Sequence, residues 1–287
     1  MIFFPNCKIN IGLNVLRRRG DGFHDIETVM VPVEGLCDVL EIVPAEGGGV
    51  TFRQSGLGVG CPEEQNLCVR AYRLMAGRYG IGGVAMHLHK VVPSGAGLGG
   101  GSSDAAFTIK GLNKIFSLGL STEQMELLAA ELGSDTAFFI RNEPQLAQGR
   151  GEMLSPYPVS LAGKRLLIVK PGVSIPTAEA YSGVSPGVPA RRLTELLGED
   201  IRAWRHTVAN DFEPHIFAMH PELGEIKECL YNKGALYASM SGSGSAVYAI
   251  FDDAGGRECL LGDARTCEIS AGLRKNFGEL FVYQQLI

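Results

Sequence analysis

The stretch Pro93-Ser94-Gly95-Ala96-Gly97-Leu98-Gly99-Gly100-Gly101-Ser102-Ser103-Asp104 says more about the fold than any other part of this 287-residue chain. Before it, the apolar residues Val84, Met86 and Leu88 alternate with other residues, which predicts a strand. After it, residues 102–112 have the pattern of a helix that begins with serine and aspartate. The sequence therefore predicts a strand, a glycine loop and a helix in direct succession.

A loop of this kind is suited to binding phosphate. Glycines let the backbone approach an anion closely and adopt a positive φ. The helix that follows contributes unpaired amides and a partial positive charge at its N-terminus. A flexible surface turn is the alternative, but five glycines directly before a helix favour an anion site.

Two common nucleotide loops match this stretch less well. A Walker loop requires lysine before its serine or threonine, whereas this chain has Gly101-Ser102-Ser103. Residues 95–100 do satisfy the Gly-x-Gly-x-x-Gly pattern of dinucleotide-binding domains. The acidic residue expected about 20 positions later is missing, since residues 115–120 are Ile-Phe-Ser-Leu-Gly-Leu. A dinucleotide-dependent oxidoreductase is therefore a weaker alternative.

Composition limits the partners and the number of domains. A net charge of -5 argues against nucleic acid or an anionic membrane surface as the main partner. No apolar run reaches the ~18 residues of a membrane span, and the N-terminus lacks a basic signal-peptide region, so we expect a cytoplasmic protein. At about 150 residues per domain we expect two domains. Pro156 and Pro158 suggest a boundary between residues 1–157 and 158–287.

The N-terminal segment alternates strictly in polarity. This period of two predicts a half-buried strand, in which Lys8 and Asn10 point away from the core and the opposite face carries apolar residues: Cys7, Ile9, Ile11, Leu13 and Val15. Residues 17–24 then predict a turn around Asp21-Gly22.

Residues 93–106, Pro-x-x-Ala-Gly-Leu-Gly-Gly-Gly-Ser-Ser-Asp-Ala-Ala, resemble the ATP loop of the GHMP kinases, which include galacto-, homoserine, mevalonate and phosphomevalonate kinases. Further motifs follow in the family's order over nearly the whole chain: Lys-Ile-Asn at 8–10, Asp-Gly-Phe-His at 21–24, Asn-Leu at 66–67, Leu-Gly-Ser-Asp at 132–135, Pro-Gly-Val-Ser-Ile-Pro-Thr at 171–177, Asn-Asp-Phe-Glu at 210–213 and Ser-Gly-Ser-Gly at 241–244. The resemblance implies a two-domain α+β fold with a ribosomal S5 domain 2-like N-terminal domain and a ferredoxin-like C-terminal domain.

The resemblance also implies an ATP-dependent kinase. The extended loop is most similar to that of the branch that phosphorylates the 2-hydroxyl of a cytidine-diphosphate-linked methylerythritol in non-mevalonate isoprenoid precursor biosynthesis. Residues 93–103 would then bind the phosphates of ATP, with Asn66 and Lys90 beside the adenine. Mg²⁺ follows from the chemistry of phosphoryl transfer. Its ligands stay open, with Ser103 as a candidate.

Two residues match the family's catalytic positions. From the residues alone, Asp135 could equally be a turn or capping residue, and Lys8 a solvated strand lysine. By resemblance, Asp135 would accept the proton of the acceptor hydroxyl, and Lys8 would hold Asp135 ionised and oriented and stabilise developing charge. The family has proline two residues after this aspartate, whereas this chain has Ala137. We expect that change to loosen the turn.

The remaining matches concern the acceptor. Phe23 and His24 correspond to the pair that recognises cytosine, although the family often has tyrosine at the first position. Asn10 and Thr177 are similar to further substrate contacts. A kinase of homoserine or mevalonate is the first alternative, but these substrates need no shelf for stacking a base. A non-catalytic sensor of the same fold is the second, although it would not need to keep both Lys8 and Asp135. The oligomeric state stays open.

Overall fold

The computed structural model describes residues 1–252 and 264–287. The chain divides into two compact units. The first consists of Met1–Lys8, Met30–Ser94 and Leu98–Pro156, and the second of Ile9–Val29, Gly95–Gly97 and Tyr157–Ile287. Residues 9–29, which the sequence assigns to an N-terminal domain of residues 1–157, therefore pack within the second unit. The domain boundary itself remains a prediction.

The described strands are β1 (Ile2–Phe3), β2 (Asn6–Arg18), β3 (His24–Cys37), β4 (Val39–Ala45), β5 (Val50–Gly56), β6 (Gly83–Lys90), β7 (Gln145–Gly149), β8 (Met153–Pro156), β9 (Lys164–Pro171), β10 (Tyr237–Met240), β11 (Val247–Asp252) and β12 (Leu280–Leu286). The described helices are α1 (Leu67–Tyr79), α2 (Gly100–Ile115), α3 (Thr122–Ala130), α4 (Phe138–Arg141), α5 (Thr177–Ser182), α6 (Leu193–Leu196), α7 (Ile201–Thr207), α8 (Glu213–Met219), α9 (Pro221–Asn232) and α10 (Ala264–Phe277).

A four-stranded sheet in the order β1-β4-β6-β5 organises the first unit. Strand β6 lies between β4, to which it is antiparallel, and β5, to which it is parallel. The two strands on either side of the glycines at 47–49 therefore do not form a hairpin with each other. The apolar residues of β6 join the apolar side chains of α1 and α2 in one core, while His87 and His89 face the other way and are exposed. This core fixes the end of β6 and the start of α2, between which the glycine loop runs.

Strand β2 is buried on both faces over most of its length. Lys8 and Asn10 expose 2% and 4% of their surface, so the prediction of a half-buried strand is wrong. The Lys8 stem lies against the glycine loop, 3.2 Å from the Cβ position of Gly99, and the Lys8 amide donates to the Leu98 carbonyl at 2.9 Å. Alternation of polarity fixed which side chains share a face, but it could not tell that the polar face is also covered.

An antiparallel sheet in the order β10-β11-β9-β12 organises the second unit. Apolar side chains of α8, α9 and α10 pack in one core with alternate residues of this sheet, such as Leu167 and Val169 of β9. Leu13, Val15 and Ile26 of β2 and β3 belong to the same core. Within the described residues, no helix is both long enough and apolar enough to cross a membrane.

Candidate active site

The glycine loop occupies the segment between Lys90, which ends β6, and Gly100, which begins α2. Helix α2 thus starts two residues earlier than its predicted start. Gly95, Gly97 and Gly99 have φ angles of +61°, +72° and +71°, a region that L side chains rarely adopt. Because α2 is 16 residues long and its first amides have no acceptor within the helix, the loop ends at an N-terminus suited to an anion.

Gly99 brings this loop against Lys8. A Cβ atom at Gly99 would lie 3.0 Å from the ring of Phe139 and 3.2 Å from the Cε atom of Lys8. A side chain at this position would therefore displace the lysine stem. The glycine allows the helix start and the lysine to share one site.

Two predicted ATP contacts lie beside this loop. The hydroxyl of Ser103, in the first turns of α2, is buried and has no hydrogen-bond partner. Asn66 caps α1, where its Oδ1 atom accepts from the Cys68 amide at 2.9 Å. The neighbouring Leu67 side chain lies 3.6 Å from the Cβ position of Gly101, so the start of α1 borders the start of α2.

Lys90 has a different environment from the one expected. Its side chain is almost fully buried, and its ammonium group pairs with the carboxylates of Asp38 and Asp104, the latter at 2.8 Å. The ammonium lies beneath α2, 3.3 Å from the Cβ position of Gly100. Both carboxylates therefore enclose the charge of Lys90, and its place beside the adenine stays a prediction.

The buried cluster of Lys90 and the two aspartates supports the loop from below. One Asp38 oxygen accepts from the amides of Val91 and Val92 at 2.6 and 2.9 Å, which fixes the residues that lead into the loop. The pKa of Asp104 is raised to about 8. Burial is the largest cause and raises this pKa, the attraction of Lys90 lowers it, and the repulsion of Asp38 raises it. The second oxygen of Asp104 is buried without a partner.

The predicted catalytic pair is in contact. The Nζ atom of Lys8 lies 3.2 Å from Oδ2 of Asp135. The lysine side chain is buried, whereas Asp135 is 36% exposed and can be reached by a ligand. A buried ammonium beside a partly exposed carboxylate combines a fixed positive charge with an acceptor for a proton.

Backbone hydrogen bonds shape the turn that carries Asp135. The Thr136 amide donates to the Gly133 carbonyl at 3.1 Å, and the Phe139 amide donates to the Thr136 carbonyl at 3.2 Å. Ala137 has a φ of -62°, close to the value that a proline ring imposes. The expected loosening of this turn by the loss of proline stays a prediction.

In the second unit, the predicted cytosine pair lies at the tip of the β2–β3 hairpin. The Arg19 amide donates to the Phe23 carbonyl at 2.8 Å and closes the tip, where Gly22 has a φ of +87°. The Phe23 ring is exposed, with 56% of its surface accessible. His24 stacks on Tyr181, with ring centroids 4.7 Å apart.

Thr177 lies in α5, which belongs to the same unit as His24. Thr177 is the first residue of the helix and is exposed. Tyr181 follows four residues later and therefore lies on the same helix face. The sequence analysis did not single out Tyr181, because its contact with His24 joins residues more than 150 positions apart.

Asn10, the other predicted substrate contact, is held firmly by its neighbours. Its Nδ2 atom donates to Thr28 Oγ1 at 3.1 Å, and its carbonyl accepts from the Tyr248 hydroxyl at 2.8 Å. Both partners are buried, so the side chain has a fixed orientation.

Comparison with known proteins assigns the family. Residues 66–143 match the model of the GHMP kinases N terminal domain, and residues 190–259 match that of the GHMP kinases C terminal domain. A 4-diphosphocytidyl-2-C-methyl-D-erythritol kinase of Bacteroides thetaiotaomicron is 48% identical over 89% of this chain and 93% of its own length. The chain belongs to the 4-diphosphocytidyl-2-C-methyl-D-erythritol kinase family. A further member, from Cytophaga hutchinsonii, is 45% identical over 88% of this chain and 93% of its own length.

Solved structures agree with this family assignment. A crystal structure of 4-(cytidine 5'-diphospho)-2C-methyl-D-erythritol kinase has a TM-score of 0.78 and 30% identity, covering 99% of this chain and 98% of the other. Homoserine kinase from Cytophaga hutchinsonii has a TM-score of 0.70 at 18% identity, covering 98% and 94%, and so shares the fold alone. The predicted two-domain α+β GHMP kinase fold is confirmed.

Proposed function

We propose that the protein transfers the γ-phosphoryl group of ATP to the 2-hydroxyl of 4-diphosphocytidyl-2-C-methyl-D-erythritol, a step of non-mevalonate isoprenoid precursor biosynthesis. The contact between Lys8 and Asp135 carries the proposal, because it joins a buried cation to an accessible carboxylate. The Lys8 amide also binds the Leu98 carbonyl of the glycine loop, so the catalytic lysine and the loop are fixed to each other. Membership of the kinase family supplies the substrate.

The phosphates of ATP would be bound by residues 93–103. The amides at the start of α2 carry a partial positive charge that would attract the phosphates, and the glycines would let the backbone approach them closely. Asn66 would border the adenine from the start of α1. Phosphoryl transfer through a loose transition state requires mainly such positioning and charge stabilisation.

The buried, unpartnered hydroxyl of Ser103 fits the role of one oxygen ligand for Mg²⁺. Within residues 1–252 and 264–287, no group of three or more His, Cys, Asp or Glu side chains is arranged to hold a metal ion. Mg²⁺ often takes much of its coordination shell from phosphates and water. Mg²⁺ would neutralise charge on the phosphates.

The acceptor hydroxyl would donate its proton to Asp135 as its oxygen attacks the γ-phosphorus. Lys8 orients that carboxylate through the 3.2 Å contact and places positive charge beside the reacting groups. On the acceptor side, Phe23 offers an exposed ring for stacking on cytosine, and His24 offers hydrogen bonds to its edge. Asn10 and Thr177 would bind the methylerythritol portion. We also propose that the protein is cytoplasmic.

The test is ADP release by the purified protein with Mg-ATP and four conditions: the cytidyl acceptor, mevalonate, homoserine or no acceptor. We expect ADP with the cytidyl acceptor and its loss in Lys8→Ala and Asp135→Ala. ADP formed with mevalonate or homoserine instead would overturn the proposed substrate and the roles of Phe23 and His24. Absence of ADP with every acceptor, despite ATP binding, would favour a sensor.

A further inference from the structure

The turn at residues 241–245 joins β10 to β11. Asn210, just before α8, and Glu213, the first residue of α8, bind the backbone of this turn and of Met240. Asn210 Nδ2 donates to the carbonyls of Met240 and Gly242 at 2.9 and 2.8 Å. Glu213 Oε1 accepts from the Met240 amide at 2.8 Å. The Asn-Asp-Phe-Glu motif at 210–213 thus uses its first and last side chains to fix this turn.

The hydroxyl of Ser241, at the start of the turn, makes two hydrogen bonds. It donates to the Gly97 carbonyl of the glycine loop at 2.9 Å. It also accepts from the backbone amide of Asn10 in β2 at 3.3 Å. A hydroxyl has one proton and accepts through its lone pairs, so this group can serve both partners at once. Ser241 therefore links the phosphate loop to the strand that carries Asn10.

The turn and the loop also meet through their backbones. A Cβ atom at Gly97 would lie 1.9 Å from the Ser241 carbonyl oxygen, and the φ of Gly97 is +72°. The Ala246 amide donates to the Ala96 carbonyl at 3.1 Å. Position 97 therefore admits glycine alone.

Two consecutive loop residues are consequently tied to β2. The Leu98 carbonyl accepts directly from the Lys8 amide at 2.9 Å. The Gly97 carbonyl is tied to the Asn10 amide through Ser241. Because Lys8 and Asn10 are two residues apart, their side chains lie on one face of the strand.

We propose that Ser241 is a positioning residue that sets the register between the phosphate loop and β2, and so aligns the phosphoryl donor with the catalytic strand. This inference deepens the proposed kinase function and rests on it. Replacing Ser241 with alanine removes the hydroxyl that links the Gly97 carbonyl to the Asn10 amide. A loop shifted by about 1 Å is enough to cost up to 100-fold in rate.

The experiment compares Ser241→Ala with Ser239→Ala. Ser239 is also buried and lies in β10, two residues before Ser241, but its hydroxyl donates to Glu213 at 2.9 Å rather than to the loop. Calorimetric titration with a non-hydrolysable ATP analogue and steady-state kinetics are measured for both. For Ser241→Ala we expect an analogue Kd about fivefold higher, a kcat about tenfold lower and a KM for the acceptor within about twofold of wild type. For Ser239→Ala we expect changes below about twofold.

An analogue Kd and kcat within about twofold of wild type in Ser241→Ala, or equal losses in Ser239→Ala, would overturn the proposal. If Ser241→Ala does not fold, Ser241→Cys, whose thiol is a weak donor, is held to the same limits. If the wild type releases no ADP with any acceptor, the kinase proposal fails by itself. The analogue Kd then still decides whether Ser241 positions the loop.

Discussion

The imidazole of His24 stacks on the phenol ring of Tyr181, with centroids 4.7 Å apart and planes inclined by 16°. Tyr181 in turn packs edge-on against Phe212 at 4.8 Å. The aromatic wall beneath His24 is thus anchored in the core of the second unit, to which Phe212 belongs. This arrangement gives the predicted cytosine-recognising histidine a fixed ring orientation.

Tyr181→Ala should raise the KM for the cytidyl acceptor about tenfold, because loss of one aromatic–base or aromatic–imidazole stack costs about 1–3 kcal/mol. The KM for ATP should stay within about twofold. Tyr181→Phe, which keeps the ring, is the matched control and should resemble wild type. Steady-state kinetics with each substrate varied in turn would check this. A rise in the KM for ATP equal to that for the acceptor would contradict it.

Asp135→Asn should lower kcat by about 10²–10⁴-fold, the range for loss of a positioned proton acceptor. Its KM for ATP should change less than about threefold, since the glycine loop does not depend on this side chain. Single-turnover measurements with saturating nucleotide would check the chemical step directly. Asp200→Asn, at an exposed helix cap, serves as the control for a lost surface charge. Activity retained within tenfold by Asp135→Asn would argue that the carboxylate does not accept the proton.

Lys90→Met should destabilise the protein by about 3–5 kcal/mol, because it leaves the buried Asp38 carboxylate without its counter-charge and removes the hydrogen bond to Asp104. Lys164→Met breaks a more exposed pair with Asp252 and should cost less than about 1 kcal/mol. Urea unfolding of the two variants and wild type would measure both. Equal stability of Lys90→Met and wild type would show that the cluster does not need its lysine.

Asp104 should make stability depend on pH. Its pKa is about 8 in the folded protein against a model value of 3.8, so the folded state binds the extra proton between those values. Its contribution to stability is therefore largest at low pH and is lost as pH rises toward 8, by at most about 1.4 kcal/mol per pH unit. The difference in unfolding free energy between wild type and Asp104→Asn, measured from pH 5.5 to 8.5, should fall with pH. A difference that stays level or rises would refute the assignment.

Local signals in the sequence were reliable. Alternating residues predicted β6, and the pattern of residues 102–112 predicted most of α2. The capping box at the start of α3, in which Ser121 and Gln124 bond to each other's backbone amides, is a local feature of the same kind. Each of these features depends on residues within one turn or one strand, so neighbours along the chain determine it.

Features set by distant residues were predicted less well. The resemblance placed Lys90 beside the adenine, and nothing in the local sequence indicated that the carboxylates at positions 38 and 104 enclose its side chain. The burial of Lys8 likewise depends on the loop that covers it. Composition and periodicity carry no information on which distant segment covers a given face. The family resemblance predicted that Lys8 and Asp135 act as a pair. The spacing of these two residues in the sequence did not indicate this by itself.

The core of the second unit includes Leu13, Val15 and Ile26, and this affects how the chain folds during its synthesis on the ribosome. Their partners in that core include Leu167 and Val169 and lie more than a hundred residues downstream. During synthesis these three apolar side chains cannot pack against β9 until that strand has left the ribosome. Until then they are exposed to solvent or make temporary contacts. A fragment ending at residue 157 would keep them exposed permanently, so we expect it to aggregate rather than to serve as a minimal ATP-binding module.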